Sequence, residues 1–404
     1  MDLINLLIQN YCKNFYIEDF YRLPHPIQQL FFKYSTEILM NPSKGFLGLA
    51  YIINNAITPP INYIKTNYVY GIQYINVYYS KKYNMEIYML SDTHTYDYRC
   101  PNNSSVTQNA AKFIENQIKT SSSFVDLFLE IPYITKEKKI QSSDINNTYM
   151  RTLQDNLQPC FDWLKTDCKY PHLRAHYIDF RKTIELDYLY LQFEQLISNI
   201  FFKKINKKKI KYTILNTKLI NIFETKNSLI KYIKQIIKKT KYNIQLKNIN
   251  DTHIQNIIKK YEKIWFENVN YNTLKWSYIT KVLTNIMEKD DERGIYCIYF
   301  NLSILNGILM DLYTISRMFR SYRSHTPTIN KFSGRAQKII VYIGGYHIDQ
   351  YEKILEDLYF TKKVYMGESR ENGVRYKKRK DEFTCVDVSN LPQPIFNSKF
   401  NQKV

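Results

Sequence analysis

The hydrophobic pattern repeats one unit four times: a short apolar run followed at once by polar, titratable residues. Met85–Leu90 leads into Ser91, Asp92, Thr93 and His94, and Phe124–Leu129 leads into Glu130. Leu173–Ile178, which carries His176, leads into Asp179 and Arg181, and Ile339–Ile343 leads into Gly344, Gly345, Tyr346 and His347. Runs of this length, rich in Val, Ile, Leu, Phe and Tyr, read as buried strands. Helical periodicity lies between them. Ala110, Phe113, Ile114 and Ile118 mark one helix, and Leu186 to Phe202 a second. Tyr299 to Arg320 reads as a long third helix, with Leu302, Leu305, Ile308, Leu309, Leu312 and Ile315 on its apolar face; Tyr351, Ile354, Leu355 and Leu358 mark a fourth. This alternation predicts an α/β fold, a mainly parallel sheet flanked by helices. The 38 residues from Asp92 to Glu130 suit one parallel crossover. Phe383–Val388 predicts an added edge strand.

The pattern divides the chain into four segments. Residues 1–84, aromatic and broken by Pro24, Pro26, Pro42, Pro59 and Pro60, predict a helical N-terminal cap. Residues 85–202 predict the first part of the α/β core, 203–294 a lysine-rich helical insertion, and 295–404 the second part of the core with a C-terminal tail. A chain of 404 residues can bury a sizeable core.

Charge changes the picture in one place. The chain carries +20, and 17 lysines against three acids, with no arginine, lie between Lys203 and Lys263. That segment also has an apolar face at Leu229, Ile233, Ile236 and Ile237 after a capping Asn227–Ser228. It reads as a solvated lysine-rich helix, or as a surface for weak electrostatic contact with nucleic acid through 203–263. Bidentate phosphate grips and base readout favour arginine, which is missing there. The wealth of Tyr, Asn, Ile and Lys is also what AT-rich codons encode.

The six cysteines are scattered, which predicts free thiols in a reducing compartment rather than a disulfide framework. Cys160, Cys168 and His172 have a spacing that zinc could use, with free thiols or one local disulfide as the plainer alternatives. No secretory or membrane-spanning segment is predicted, so the expected location is intracellular. Arg375–Lys380 could serve as a nuclear address or simply be an exposed loop.

Ligands of open α/β sheets gather beyond the carboxyl ends of the strands, so polar residues at four such ends predict one shared site. His94 and His347 are suited to binding a divalent metal ion, with Glu130 completing the set. Asp92, Glu130, His176 and Arg181 are the catalytic candidates, and Arg181 and Arg317 the groups to hold an anionic part of a substrate. His347 is expected on a loop at the mouth of the site, where its removal should cost little stability. A metal-free His–carboxylate cluster that pins strand ends is the competing reading.

These motifs resemble a known superfamily, the one joining the TraB/PrgY and Tiki proteins, the erythromycin esterases and the ChaN-like proteins. Gly344–His347 is similar to its second Gly-x-x-His string, Ser91–His94 to the first with Ser in place of Gly, and Glu130 to its strand-ending glutamate. The stretches around His176, Asp179 and Arg181 and from Asp311 to Arg320 resemble uncharacterised proteins of large DNA viruses. The resemblance implies a metal-dependent hydrolase of an ester or peptide bond, in the cytoplasm of an infected cell or in a virion. The alternative is an inactive viral structural or host-interaction protein. The lysine segment keeps a third class open, a non-specific nucleic-acid-binding accessory protein.

Overall fold

The computed structural model describes residues 65–92, 106–121, 123–132, 149–161, 168–170, 172–179, 235, 238, 240–274, 277–278, 281–282, 284–285, 293–322, 334–366 and 385–396. In chain order these form β1 (Tyr68–Tyr70), β2 (Ile72–Ser80), β3 (Met85–Asp92), β4 (Thr107–Asn109), α1 (Ala110–Thr120), β5 (Val125–Pro132), α2 (Tyr149–Asn156), α3 (Gln158–Phe161) and β6 (Leu173–Asp179). There follow α4 (Lys241–Lys247), α5 (Thr252–Glu267), α6 (Arg293–Phe319), β7 (Ser321–Tyr322), β8 (Gly334–Arg335), β9 (Lys338–Gly344), α7 (Gly345–Asp357), β10 (Thr361–Met366) and β11 (Cys385–Asp387).

The main sheet has the order β10-β2-β3-β9-β5-β6. Its four strands β3, β9, β5 and β6 are parallel, and β2 and β10 add antiparallel partners at one side. This is an α/β architecture with a mainly parallel sheet flanked by helices. β9 lies between β3 and β5, so the early and late runs of the chain meet at its centre. Every residue of β9 after Lys338 is buried, as a strand covered on both faces requires.

Strand alternation sorts the core into two layers. Ile339, Val341 and Ile343 face one side together with Ile87 and Met89 of β3, Phe128 of β5 and Ile178 of β6, and there α4, α5, α6 and α7 cover them. Ile340 and Tyr342 face the other side with Tyr88, Leu90, Val125, Leu127 and Leu129, beneath α1 and α2. The stretch Tyr296–Phe319 of α6 is long and apolar enough to cross a membrane, yet 78% of its apolar window is buried inside the protein. It is a core helix lying across the sheet.

Three sequence expectations change. The segment read as a helical cap ends in strands: Ile72–Ser80 is β2, because its Val, Ile and Tyr side chains suit a pleated surface buried on both faces. The rest of that cap, residues 1–64, lies outside the described residues. Where it is described, the lysine-rich segment is helical, and its helices pack on the core rather than being solvated all round. Ile254, Ile258, Tyr261 and Trp265 of α5, with Tyr242 and Leu246 of α4, are buried with α6, while Lys259, Lys260 and Lys263 face outward. The helical face read at 229–237 is outside the described set. Finally, Cys160 and Cys168 form a disulfide and Cys385 is disulfide-bonded too, so these are not free thiols. In this structure Cys160 and Cys168 are joined to each other and His172 Nε2 is 2.7 Å from the Ile118 carbonyl, so these three side chains are not arranged as zinc ligands.

Candidate functional site

Two polar clusters occupy the helix-covered face bearing α6, and both begin on β5. Asp126, Phe128 and Glu130 alternate onto that face, so one strand presents a carboxylate near its start and another near its end. The long helix α6 supplies a partner to each: Asp311 to the first described below and Arg317 to the second.

The first cluster lies at the carboxyl ends of β5 and β9. His347 sits in the first turn of α7, immediately after β9, and is 8% exposed. Its Nδ1 is 2.7 Å from Asp311 Oδ1 and its Nε2 is 3.4 Å from Glu130 Oε1. The backbone N–H of Gly344 donates to Glu130 Oε2 at 2.7 Å, so the carboxylate is anchored on the strand that leads to the histidine. The expectation of a loop position at the mouth of the site is corrected. His347 is a buried helical residue, and removing it would leave two carboxylates facing one another.

Gly345 matters for space, and Gly344 adopts an ordinary backbone conformation. Gly344 has φ −58°. At Gly345 a Cβ would stand 2.7 Å from Ser91 Oγ, so a larger residue there would force the Ser91 hydroxyl to move.

Electrostatics make His347 a cation. Burial alone would push its pKa down, but the Asp311 and Glu130 carboxylates outweigh it and raise the pKa to about 10. Burial in turn raises the Asp311 carboxyl above its ordinary range. The buried phenol of Tyr351, near Asp311, is pushed well up as well.

A metal offers the other way to satisfy these groups. Two donors on one tetrahedral ion, each about 2.0–2.2 Å from it, stand roughly 3.3–3.6 Å apart. The 3.4 Å between Nε2 and Oε1 has that spacing. Asp311 on the far ring nitrogen occupies the place of the carboxylate that orients a metal-bound imidazole. Among the described residues, no group of three His, Cys, Asp or Glu side chains is arranged to hold a metal ion. The pair therefore fits as two ligands and not as a full set.

The second cluster lies nearer the start of β5. Arg174 grips Asp126 through two nitrogens, Nε to Oδ1 and Nη2 to Oδ2 at 2.9 Å. His176 Nε2 is 2.8 Å from the same Oδ1, and Arg317 Nε donates to His176 Nδ1 at 3.2 Å. An arginine nitrogen can only donate, so Nδ1 accepts and the ring proton sits on Nε2, donated to Asp126. Burial and the nearby Arg317 charge lower the His176 pKa to about 3 against the pull of Asp126, and the ring stays neutral. Burial would raise the Asp126 carboxyl, but Arg174 and His176 outweigh it and hold it low. Tyr322 stacks on His176 with ring centroids 5.3 Å apart.

The sequence candidates thus fall into separate places. Glu130 and His347 come together. Asp92, at the end of β3, faces the opposite side of the sheet, where its Oδ1 accepts from the Tyr342 hydroxyl at 2.7 Å. His176 and Arg317 meet each other in the second cluster rather than His347. His94 and Arg181 lie outside the described residues. Asp311, Asp126, Arg174, Arg320 and Tyr322 were not among the candidates. A signal existed for two of them: an acid within an apolar helix face, and an acid within the apolar run of β5, are costly unless partnered.

No family model, no curated protein and no solved structure matches this chain.

Proposed function

We propose that the chain is a metal-dependent hydrolase-like protein acting on an ester or peptide bond, with Glu130 and His347 as two ligands of a divalent metal ion. The observation that carries this reading is the 3.4 Å separation of His347 Nε2 and Glu130 Oε1 at the carboxyl edge of parallel strands, with Asp311 on the opposite nitrogen. When bound, such an ion lowers the pKa of its water towards neutrality and polarises a carbonyl oxygen. Asp311, by accepting from Nδ1–H, selects the tautomer that leaves the Nε2 lone pair free. The Gly344 N–H fixes one oxygen of Glu130 and aims the other at His347. His94 is the remaining ligand that the sequence names. Asp92, held by Tyr342 on the other face, is left out of this set, as is His176.

One observation favours a second reading. The raised pKa of His347 suits an imidazolium that pins α6, α7 and β5 together with no metal, as in an inactive relative. Metal analysis of the full chain purified without chelators, combined with a screen of ester and peptide substrates, separates the two. The first reading expects about one equivalent of metal and hydrolysis that Glu130→Gln abolishes. Metal-free protein without hydrolysis would establish the pin instead.

A further inference from the structure

Among the described residues, the second cluster holds more positive charge than its one carboxylate, Asp126, can balance. Three guanidinium groups surround the Tyr322 ring, with Cζ at 3.8 Å for Arg174, 4.6 Å for Arg320 and 5.6 Å for Arg317 from the ring centroid. Among the described residues they share one carboxylate, Asp126, and Arg174 already occupies both of its oxygens. His176 adds no compensating charge, because it accepts from Arg317 as a neutral ring. Arg320 reaches Gln245 through Nη1, which is an uncharged acceptor. Its Nε is buried and has no hydrogen-bond partner among the described residues. Arg317 and Arg320 are both partly exposed.

Guanidinium groups gathered out of bulk water repel one another strongly, and the repulsion grows as the local dielectric falls. Stacking on Tyr322 offsets part of this. A bound anion would offset more, and the planar donor fork of arginine matches a tetrahedral oxyanion through paired N–H···O bonds. The excess of two positive charges among the described residues matches a dianion. We propose that Arg317 and Arg320, backed by Arg174 and Tyr322, form a binding site for a phosphate dianion, either inorganic phosphate or the phosphoryl group of a small phosphomonoester.

This site is distinct from the Glu130–His347 pair. Asp126 and Glu130 are four residues apart on one strand, which is roughly 13 Å. The proposal does not depend on the metal reading, because anion binding is measured on protein stripped of metal by dialysis against chelator.

The test is calorimetric titration of that full-length protein, at low ionic strength, with inorganic phosphate, with a phosphomonoester such as glycerol phosphate, and with acetate. Saturable binding of one phosphate per chain, weakened at least about tenfold in Arg320→Gln, is the expected result. Arg320→Lys, which keeps the charge but not the fork, should fall between the two. Lys112→Gln, an exposed lysine of α1 on the opposite face of the sheet, is the control for general electrostatics and should bind as the unaltered chain does. A phosphomonoester that binds more tightly than inorganic phosphate identifies a substrate or effector; the reverse order identifies the free ion. Absence of saturable binding would overturn the proposal. So would acetate binding as tightly as phosphate, or phosphate affinity unchanged in an Arg320→Gln protein that melts as the unaltered chain does.

Discussion

His347 and His176 lie under the same helix, on the same face of the same sheet, and both are almost fully buried. One is held as a cation with a pKa of about 10, the other as a neutral ring with a pKa of about 3. Desolvation is the largest contribution for both and pushes both down. What differs is the sign of the neighbours. Two carboxylates flank His347, whereas His176 has Arg317 on one nitrogen and a carboxylate already committed to Arg174 on the other. Helix α6 creates the contrast by placing an acid, Asp311, over one strand end and a base, Arg317, over the middle of another. Burial alone says little about the protonation of a histidine; the partner set by the opposite element decides it.

The largest expected effect is at the basic cluster. Asp126→Asn removes the carboxylate that Arg174 grips through two nitrogens. The expected loss is about 3–5 kcal/mol in denaturant unfolding. A loss below 1 kcal/mol would mean that another acid compensates Arg174. At the acidic cluster Asp311→Asn keeps the shape but removes one carboxylate, and should cost about 1–3 kcal/mol. The same variant should lower the His347 pKa, read from its ring resonances by NMR. An unchanged titration would break the account of that histidine.

The two histidines should also give opposite pH dependences. For His347 the folded pKa lies above the unfolded value, so its contribution is fully present below about pH 6.5 and is lost as pH rises through about 10. For His176 the folded pKa lies below the unfolded value. Its contribution is present above about pH 6.5 and is lost as pH falls towards about 3. Unfolding curves of the unaltered chain, His347→Gln and His176→Gln across that range should therefore diverge at opposite ends. The smallest effect is at an exposed pair: Lys263 stands 3.9 Å from Glu267 on α5, and Lys263→Gln should change stability by less than about 0.5 kcal/mol.

Much of the fold could be read from periodicity. The runs at 85–90, 124–129, 173–178 and 339–343 became β3, β5, β6 and β9, and the apolar face through Leu302, Leu305, Leu309 and Leu312 became α6. β9, covered on both faces, advertises itself by a nearly unbroken apolar run, whereas Asp126 in β5 and Arg174 and His176 in β6 interrupt theirs. β2 was harder, because Gln73 and Asn76 interrupt its run and its place is settled by antiparallel pairing to β3, a long-range choice that local pattern does not encode. At the site, the convergence of Glu130 and His347 follows from their positions at neighbouring parallel strand ends, which spacing suggested. Alternation decides that Asp92 turns away, and it depends on register: Asp92 pairs with Gly344 and shares the face of Tyr342. The partners Asp311 and Arg317 depend on how α6 lies across the sheet, a packing angle that no local motif carries.

The central claim is that Glu130 and His347 are joint ligands, and metal calorimetry tests it most directly. At pH 7 the imidazolium of His347 must give up its proton before Nε2 can ligate, so zinc titrated into chelator-stripped protein should bind at one equivalent. Repeating the titration in buffers of different ionisation enthalpy should reveal release of about one proton per metal. Both the binding and the proton release should disappear in His347→Gln, and affinity should fall at least about tenfold in Glu130→Gln. Zinc bound equally well by the unaltered chain and both variants, or not bound at all, would contradict the claim and leave the buried imidazolium as a structural pin.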